Sequence, residues 1–450
     1  MSLVITNARL AHADRAEAQK LWKVECKDGR VSSIEHLSAC RDVPAEEIDA
    51  KGSLMIPSLC HAHIHLDKCF LLEKAELKTG DFAEAMSLTG GIKSKFKNNP
   101  EDIYHRGYRL VRESVACGVT STRAHVEVDA SVELICLEAA LRLKHTFRDV
   151  CDIQIAVFAQ EALFSDSTEE QPNDNYRALE RACRIPGVSA VGSAPYVEST
   201  ITKSKANIAL VLDLARRSAL HVDFHLDYNL DPESEPLIYE VISQARQDTR
   251  FHESASFRAR VTLGHCTRLQ LFSDEEWHEL VQKMEGLPIS LVSLPQSDIY
   301  MMGRSSQSKL GSPRGTLNVP QLFPKYSIQV AMSVNNIENA FTPQGSVDPL
   351  SLCSFGAAIF QSASTEDTRT LLRAVTVTSK AAIGMTDQPT DLVPSCGDPA
   401  DFVVLNGITS VQSAVLNPGF DRITIRRGVV VSRRSSVHWT KLDGEDEQVA

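Results

Sequence analysis

Short runs of β-branched and other apolar residues recur through the middle of the chain, each followed by a stretch long enough for a helix. The runs are Ile56–His65, Val119–Val126, Ile153–Phe158, Ala190–Ser193, His221–His225, Arg260–His265, Ile289–Leu294 and Ile328–Ser333. Helical periodicity is clear between them in Val132–Lys144, Lys205–Ala219 and Asp274–Met284. Strand–helix units repeated in this way predict an α/β fold, a (β/α)8 barrel of the TIM type. The ends of the chain read differently. Leu3–Leu10 and Trp22–Glu35 are β-rich, with Asp28-Gly29 as a hairpin turn, and so are Asp401–Leu405 and Ile423–Ser432. The expected organisation is a distorted TIM barrel over residues 57–390. A small β-sandwich domain is expected from both termini, residues 1–56 and 391–440, and an acidic tail over 441–450. Two polar segments, Ser165–Asn175 and Gly303–Gly315, read as loops over the barrel mouth.

Charge narrows the partners. With 450 residues and a net charge of −11, the chain has no excess of Lys and Arg to neutralise phosphates, which argues against nucleic acid. The 11 cysteines are scattered and form no C-x-x-C pair, the pattern of reduced thiols and not of a disulfide framework. No stretch is apolar enough to span a membrane, and the first residues lack the signature of a signal peptide. A cytoplasmic protein with a small-molecule substrate is expected, and self-association as a homo-oligomer is left open.

Histidines supply the chemistry. His63-Ile64-His65 closes the first barrel run, and residues two apart on a strand point to the same side. At the C-terminal end of a barrel strand, both imidazoles would face the mouth, where active sites of this architecture lie. His225 closes the fifth run and His265 the sixth. Four histidines at the same ends of three strands read as a metal site, because neutral imidazole is a good ligand for zinc or iron. His125 closes the second run and can line the same pocket, and His61 can share the face of His63. Cys60, Cys69 and Cys266 adjoin the site and read as buried apolar residues.

The order His-Ile-His-Leu-Asp, then His225, then His265, resembles the amidohydrolase superfamily, and its cytosine deaminase-like group in particular. The segments STRAHVEVD (121–129), DIQIAVFAQEALFS (152–165), VGSAPYVE (191–198), LPQSDIYMMGR (294–304) and GDPADFVVLNG (397–407) are similar to family segments. The resemblance implies one divalent metal on His63, His65 and His225, with zinc expected and iron the alternative. It implies that His265 bonds the attacking water or the substrate, that Gln160 faces the substrate, and that Asp67 lies near the site.

Two positions depart from the family. Where it has a proton-shuttling Glu three residues after the fifth-strand His, this chain has Tyr228. Where it has a metal-binding Asp after the eighth strand, this chain has Asn335, followed by Asn336. Asn carries no titratable group and Tyr is a poor base, so proton transfer must be reassigned. The expected activity is hydrolysis of a C–N bond in a small cyclic or acyl substrate, other than cytosine deamination, with His265 as acid and base and Tyr228 and Asn335 positioning the substrate. The alternatives are a lyase, isomerase or cyclase that uses Tyr228 and His265, with or without metal, and a binding protein without activity.

Overall fold

The computed structural model describes residues 2–440 except 41–43, 45–46, 169, 252–258 and 305–314. The 441–450 tail and most of the Gly303–Gly315 loop therefore lie outside the described residues. Eight parallel strands follow one another in chain order. They are β1 Leu59–His65, β2 Val119–Glu127, β3 Asp152–Ala159, β4 Val188–Ser193, β5 His221–Leu226, β6 Val261–His265, β7 Ile289–Ser293 and β8 Val330–Met332. Beyond the end of β8 the ring closes: Asn335 N–H donates to the His63 carbonyl at 3.2 Å, and His65 N–H to the Asn335 carbonyl at 2.8 Å. The expected (β/α)8 barrel is the observed fold.

The termini build a second, mixed sheet. Its path runs from Val429–Arg434 through Arg422–Arg426, Phe402–Leu405, Leu54–Pro57 and Ser2–Leu10 to Leu21–Lys27 and Arg30–Leu37. Ile5, Val24, Cys26, Met55, Phe402, Val404 and Ile425 form a core of its own. The run read as Ile56–His65 is two strands. Leu54–Pro57 pairs with Phe402–Leu405, and Leu59–His65 pairs with β2. Pro57 cannot donate to a ladder, and at Ser58 the chain changes sheets. The Ser58 N–H turns to the Asp401 carbonyl at 2.9 Å, and its hydroxyl meets Thr120 and Lys380 at 2.6 and 2.8 Å.

Local chemistry sets the helix ends. Asp274–Met284 starts on a capping box between Ser273 and Glu276. Ile201–Ser218 starts at Thr200 and stops at Ala219, whose φ is +52°. The helix read from Val132 begins only at Ile135, because Asp129 accepts the Ser131 and Val132 N–H groups and holds them in a turn. The Ser165–Asn175 loop ends at Asp174, where Asn173 caps a helix. Phe82–Lys93, capped by Asp81, follows β1. Its Phe82 ring packs against Tyr196, Tyr228 and Phe341, with centroids 5.9–6.2 Å apart. Among the described residues no helix is long and apolar enough to cross a membrane. All eleven cysteines are free thiols. Burial pushes Cys60 up to about 11 and Cys69 up to about 12, which leaves both protonated and unreactive.

Candidate active site

β1 and β5 bring three imidazoles together. The His225 Nε2 atom lies 3.1 Å from His63 Nε2 and 2.9 Å from His65 Nε2. All three rings are buried, and burial pushes each well below its ordinary pKa, so they stand neutral. Their Nδ1 atoms have no hydrogen-bond partner. Neutral rings with His225 Nε2 set between those of His63 and His65 offer lone pairs into one small buried region, a kind of donor set that suits a divalent cation. Among the described residues, two sets of three ligand atoms lie within 4.8 Å of one another: His63, His225 and His265, and His63, His125 and Asp223. His65 belongs to neither set and meets the cluster through His225. Gly264 in β6 makes the room: a side chain there would begin 2.8–2.9 Å from the His63 ring.

His61 does not join them. The pairing of β1 with β2 slips between His61 and Ile64, and the irregularity turns His61 away from the face of His63. Its Nε2 meets the Ser114 hydroxyl at 3.2 Å, on the helix Pro100–Ala116.

His265 ends β6 at φ +68°, and its Nδ1 lies 2.8 Å from Asp298 Oδ1. The other Asp298 oxygen accepts from the Thr316 hydroxyl at 2.6 Å and the Leu294 N–H at 3.2 Å. Burial raises the Asp298 pKa, against the pull of His265 and Thr316. The Tyr228 ring stacks on His265, and its hydroxyl donates to the Ser297 carbonyl at 3.3 Å. Burial pushes this phenol well above its usual range, so it is a neutral donor. Asn335, at φ +67°, donates its amide to the Ser297 hydroxyl at 2.7 Å, while its Oδ1 is buried without a partner. Asn336 turns to Asn339, whose amide it accepts at 2.8 Å. Asp227 faces away and caps a helix through the Leu237 and Ile238 N–H groups.

On the β1–β3 side, the Gln160 side-chain carbonyl accepts from Lys68 at 3.3 Å. Lys68 also pairs with Glu127 at 2.7 Å, and Lys93 joins Glu127 and Asp129 at 2.6 and 2.8 Å. Asp67 holds the Glu127 N–H at 2.6 Å. The His125 ring lies 4.0 Å from His63, centroid to centroid, with its Nε2 3.1 Å from Asp223. Sequence reasoning missed Asp298, Asp223, Lys68 and Gly264. Lys68 directly follows the His-Ile-His-Leu-Asp run and Asp298 lies within a quoted segment, so both were within sight. Asp223 and Gly264 had no signal beyond their places on strands that end in histidine.

The amidohydrolase family model matches residues 54–431. N-isopropylammelide isopropyl amidohydrolase of Pseudomonas sp. (strain ADP) is 24% identical over 95% of this chain and 96% of its own length. A solved 5-methylcytosine deaminase from Klebsiella pneumoniae, liganded with 5-fluorocytosine, superposes with a TM-score of 0.84 at 25% identity, covering 97% of this chain and 99% of that one. Atrazine chlorohydrolase from Arthrobacter aurescens TC1, complexed with zinc, shares the fold with a TM-score of 0.63 at 14% identity, over 95% of this chain and 94% of its own. With the family model spanning the barrel and the C-terminal part of the second sheet, the chain belongs to the amidohydrolase family, hydrolases of non-peptide C–N bonds.

Proposed function

We propose that this protein hydrolyses a C–N bond in a small cyclic or acyl substrate through one divalent metal, zinc in the first place and iron as the alternative. The observation that carries the reading is the His225 Nε2 atom within 3.1 Å of His63 Nε2 and 2.9 Å of His65 Nε2 in a buried, neutral cluster. A bound cation supplies Lewis acidity at that point. His265, with Asp298 on its Nδ1, takes up and returns a proton at Nε2. Tyr228 and Asn335 are neutral and position the substrate, Gln160 contacts its polar edge, and Asp67 and His125 act through the neighbours they hold. Direct cytosine deamination is not the expected reaction, because Tyr228 stands where the family's shuttling Glu would be.

The test is elemental analysis of protein purified without chelators, followed by a panel of small cyclic amides, amidines and N-alkylated heterocycles. About one metal per chain is expected, with release of ammonia or an amine and incorporation of solvent oxygen into the product. Replacing His63 and His65 together by Ala should abolish metal uptake, since two ligands are lost. Metal-free wild-type protein would overturn the reading, and turnover without water incorporation would point to a lyase, isomerase or cyclase.

A further inference from the structure

Directly behind the histidine cluster lies a buried carboxylate to which neither the resemblance nor the proposed chemistry assigns a part. Asp223 sits two residues before His225 on β5, on the same inward face, and is wholly buried. One of its oxygens accepts from Arg123 at 3.1 Å. Arg123 is itself wholly buried and has a partner for each of its donor nitrogens. Besides Asp223 these are Gln154 at 2.8 and 3.1 Å, Thr262 at 2.8 Å and the Ile383 carbonyl at 2.7 Å. The guanidinium is thus a fixed platform, and it presents the second Asp223 oxygen to the histidines. That oxygen lies 3.1 Å from His125 Nε2 and 3.9 Å from His63 Nδ1. All three atoms are buried, and none makes a hydrogen bond of good geometry. Buried polar atoms left so close to one another need a common explanation.

We propose that Asp223, held by Arg123, is a positioning residue for the metal ligands. It draws the N–H of His63 to Nδ1 and that of His125 to Nε2. His63 is thereby kept in the tautomer whose Nε2 carries a free lone pair toward His225. A carboxylate behind a ligating imidazole orients the ring and raises its basicity, and removing such a partner commonly weakens metal affinity about 10–100-fold. Asn335, where the family has a metal-binding Asp, brings no charge to the cluster, so Asp223 supplies negative charge there from behind.

The inference rests on the metal reading, and the experiment separates the two. Asp223→Asn keeps the shape and can still accept from Arg123 but loses the charge. Zinc affinity is measured by competition with a chromophoric chelator, and the cobalt(II)-substituted protein gives a visible spectrum that reports ligand geometry. Circular dichroism of the metal-free proteins establishes that the variant folds. The expected result is one zinc per chain in both proteins, bound about 10–100-fold more weakly by the variant, with a shifted cobalt band. Equal affinity and an unchanged spectrum would overturn the inference and leave the metal site standing. A wild type that takes up no zinc would remove both. A second zinc in the wild type, lost in the variant, would make His63, His125 and Asp223 a cation site of their own and overturn the positioning role.

Discussion

The Tyr228 ring lies face to face on the His265 imidazole, with centroids 3.7 Å apart and planes 27° from parallel. This contact fixes one face of the residue proposed to carry the proton, while Asp298 fixes its Nδ1 edge. His265 is therefore held by ring packing as well as by a hydrogen bond. The Tyr228 hydroxyl is aimed at the Ser297 carbonyl, and that hydroxyl is the part a Phe would lack.

Tyr228→Phe keeps the stack and loses one hydrogen bond. The expected effect is a drop in kcat/KM worth about 1 kcal/mol, roughly five-fold, carried mostly by KM. His265→Asn should cost about 10²–10⁴-fold in kcat, the usual share of general acid–base catalysis. Steady-state kinetics on the best substrate of the panel decides between them. A hundred-fold loss in kcat for Tyr228→Phe would make the phenol the proton donor.

Gln160 is buried beside Lys68 at the mouth of β3. If its amide meets the substrate, Gln160→Ala should weaken binding by about 1–3 kcal/mol, the cost of a lost buried hydrogen bond. Titration of a competitive inhibitor by calorimetry gives the number. Affinity unchanged within error takes Gln160 out of the substrate site.

Gly264 leaves the space that the His63 ring fills. Gly264→Ala should press on His63 and cost about 1–3 kcal/mol of stability, as overpacking does. Metal retention through dialysis should fall as well, because the displaced ring is a proposed ligand. Thermal melts and metal analysis of the dialysed variant check both, and a variant that keeps its metal and its melting temperature would show that the barrel yields there freely.

His61, turned toward Ser114, offers a pH test. Burial lowers its pKa from 6.5 to about 3. Above pH 6.5 both folded and unfolded chains hold it neutral, and its contribution to stability is complete. As the pH falls below 6.5, the unfolded chain gains a proton that the folded chain refuses, and stability drops by about 1.4 kcal/mol per pH unit. His61→Gln should flatten the fall in urea midpoint between pH 6.5 and 4.5. Equal slopes in variant and wild type would mean that the ring protonates normally inside the fold.

The barrel and the gathering of the histidines at its mouth were legible because both obey local rules. A strand shows as a β-branched run, and a histidine that ends it is carried to the mouth by the architecture alone. The rest depended on contacts between distant segments. Asp298 meets His265 from the helix Pro295–Met301 after β7, and Arg123 reaches Asp223 across the barrel from β2 to β5. No periodicity announces such pairs. His61 was read onto the wrong face because a slip in strand pairing breaks the rule of two. Ile56–His65 was read as one strand because the break at Ser58 is made by a carbonyl from Asp401.

The pairing of Leu54–Pro57 with Phe402–Leu405 has a consequence for how the protein is made. Leu54–Pro57, directly before the strand that carries His63 and His65, is synthesised long before residues 402–405, its partner in the second sheet. Until then the histidine strand has its own neighbours, Val119–Glu127 and Asn335, while the segment at its root has Ser2–Leu10 on one side only. A nascent chain stopped before Phe402 holds every histidine of the cluster and both neighbours of the strand that bears His63 and His65, but lacks the strand that pairs with its root. The barrel can thus close on its own neighbours first, and the root of its first strand is fixed only when residues 402–405 arrive.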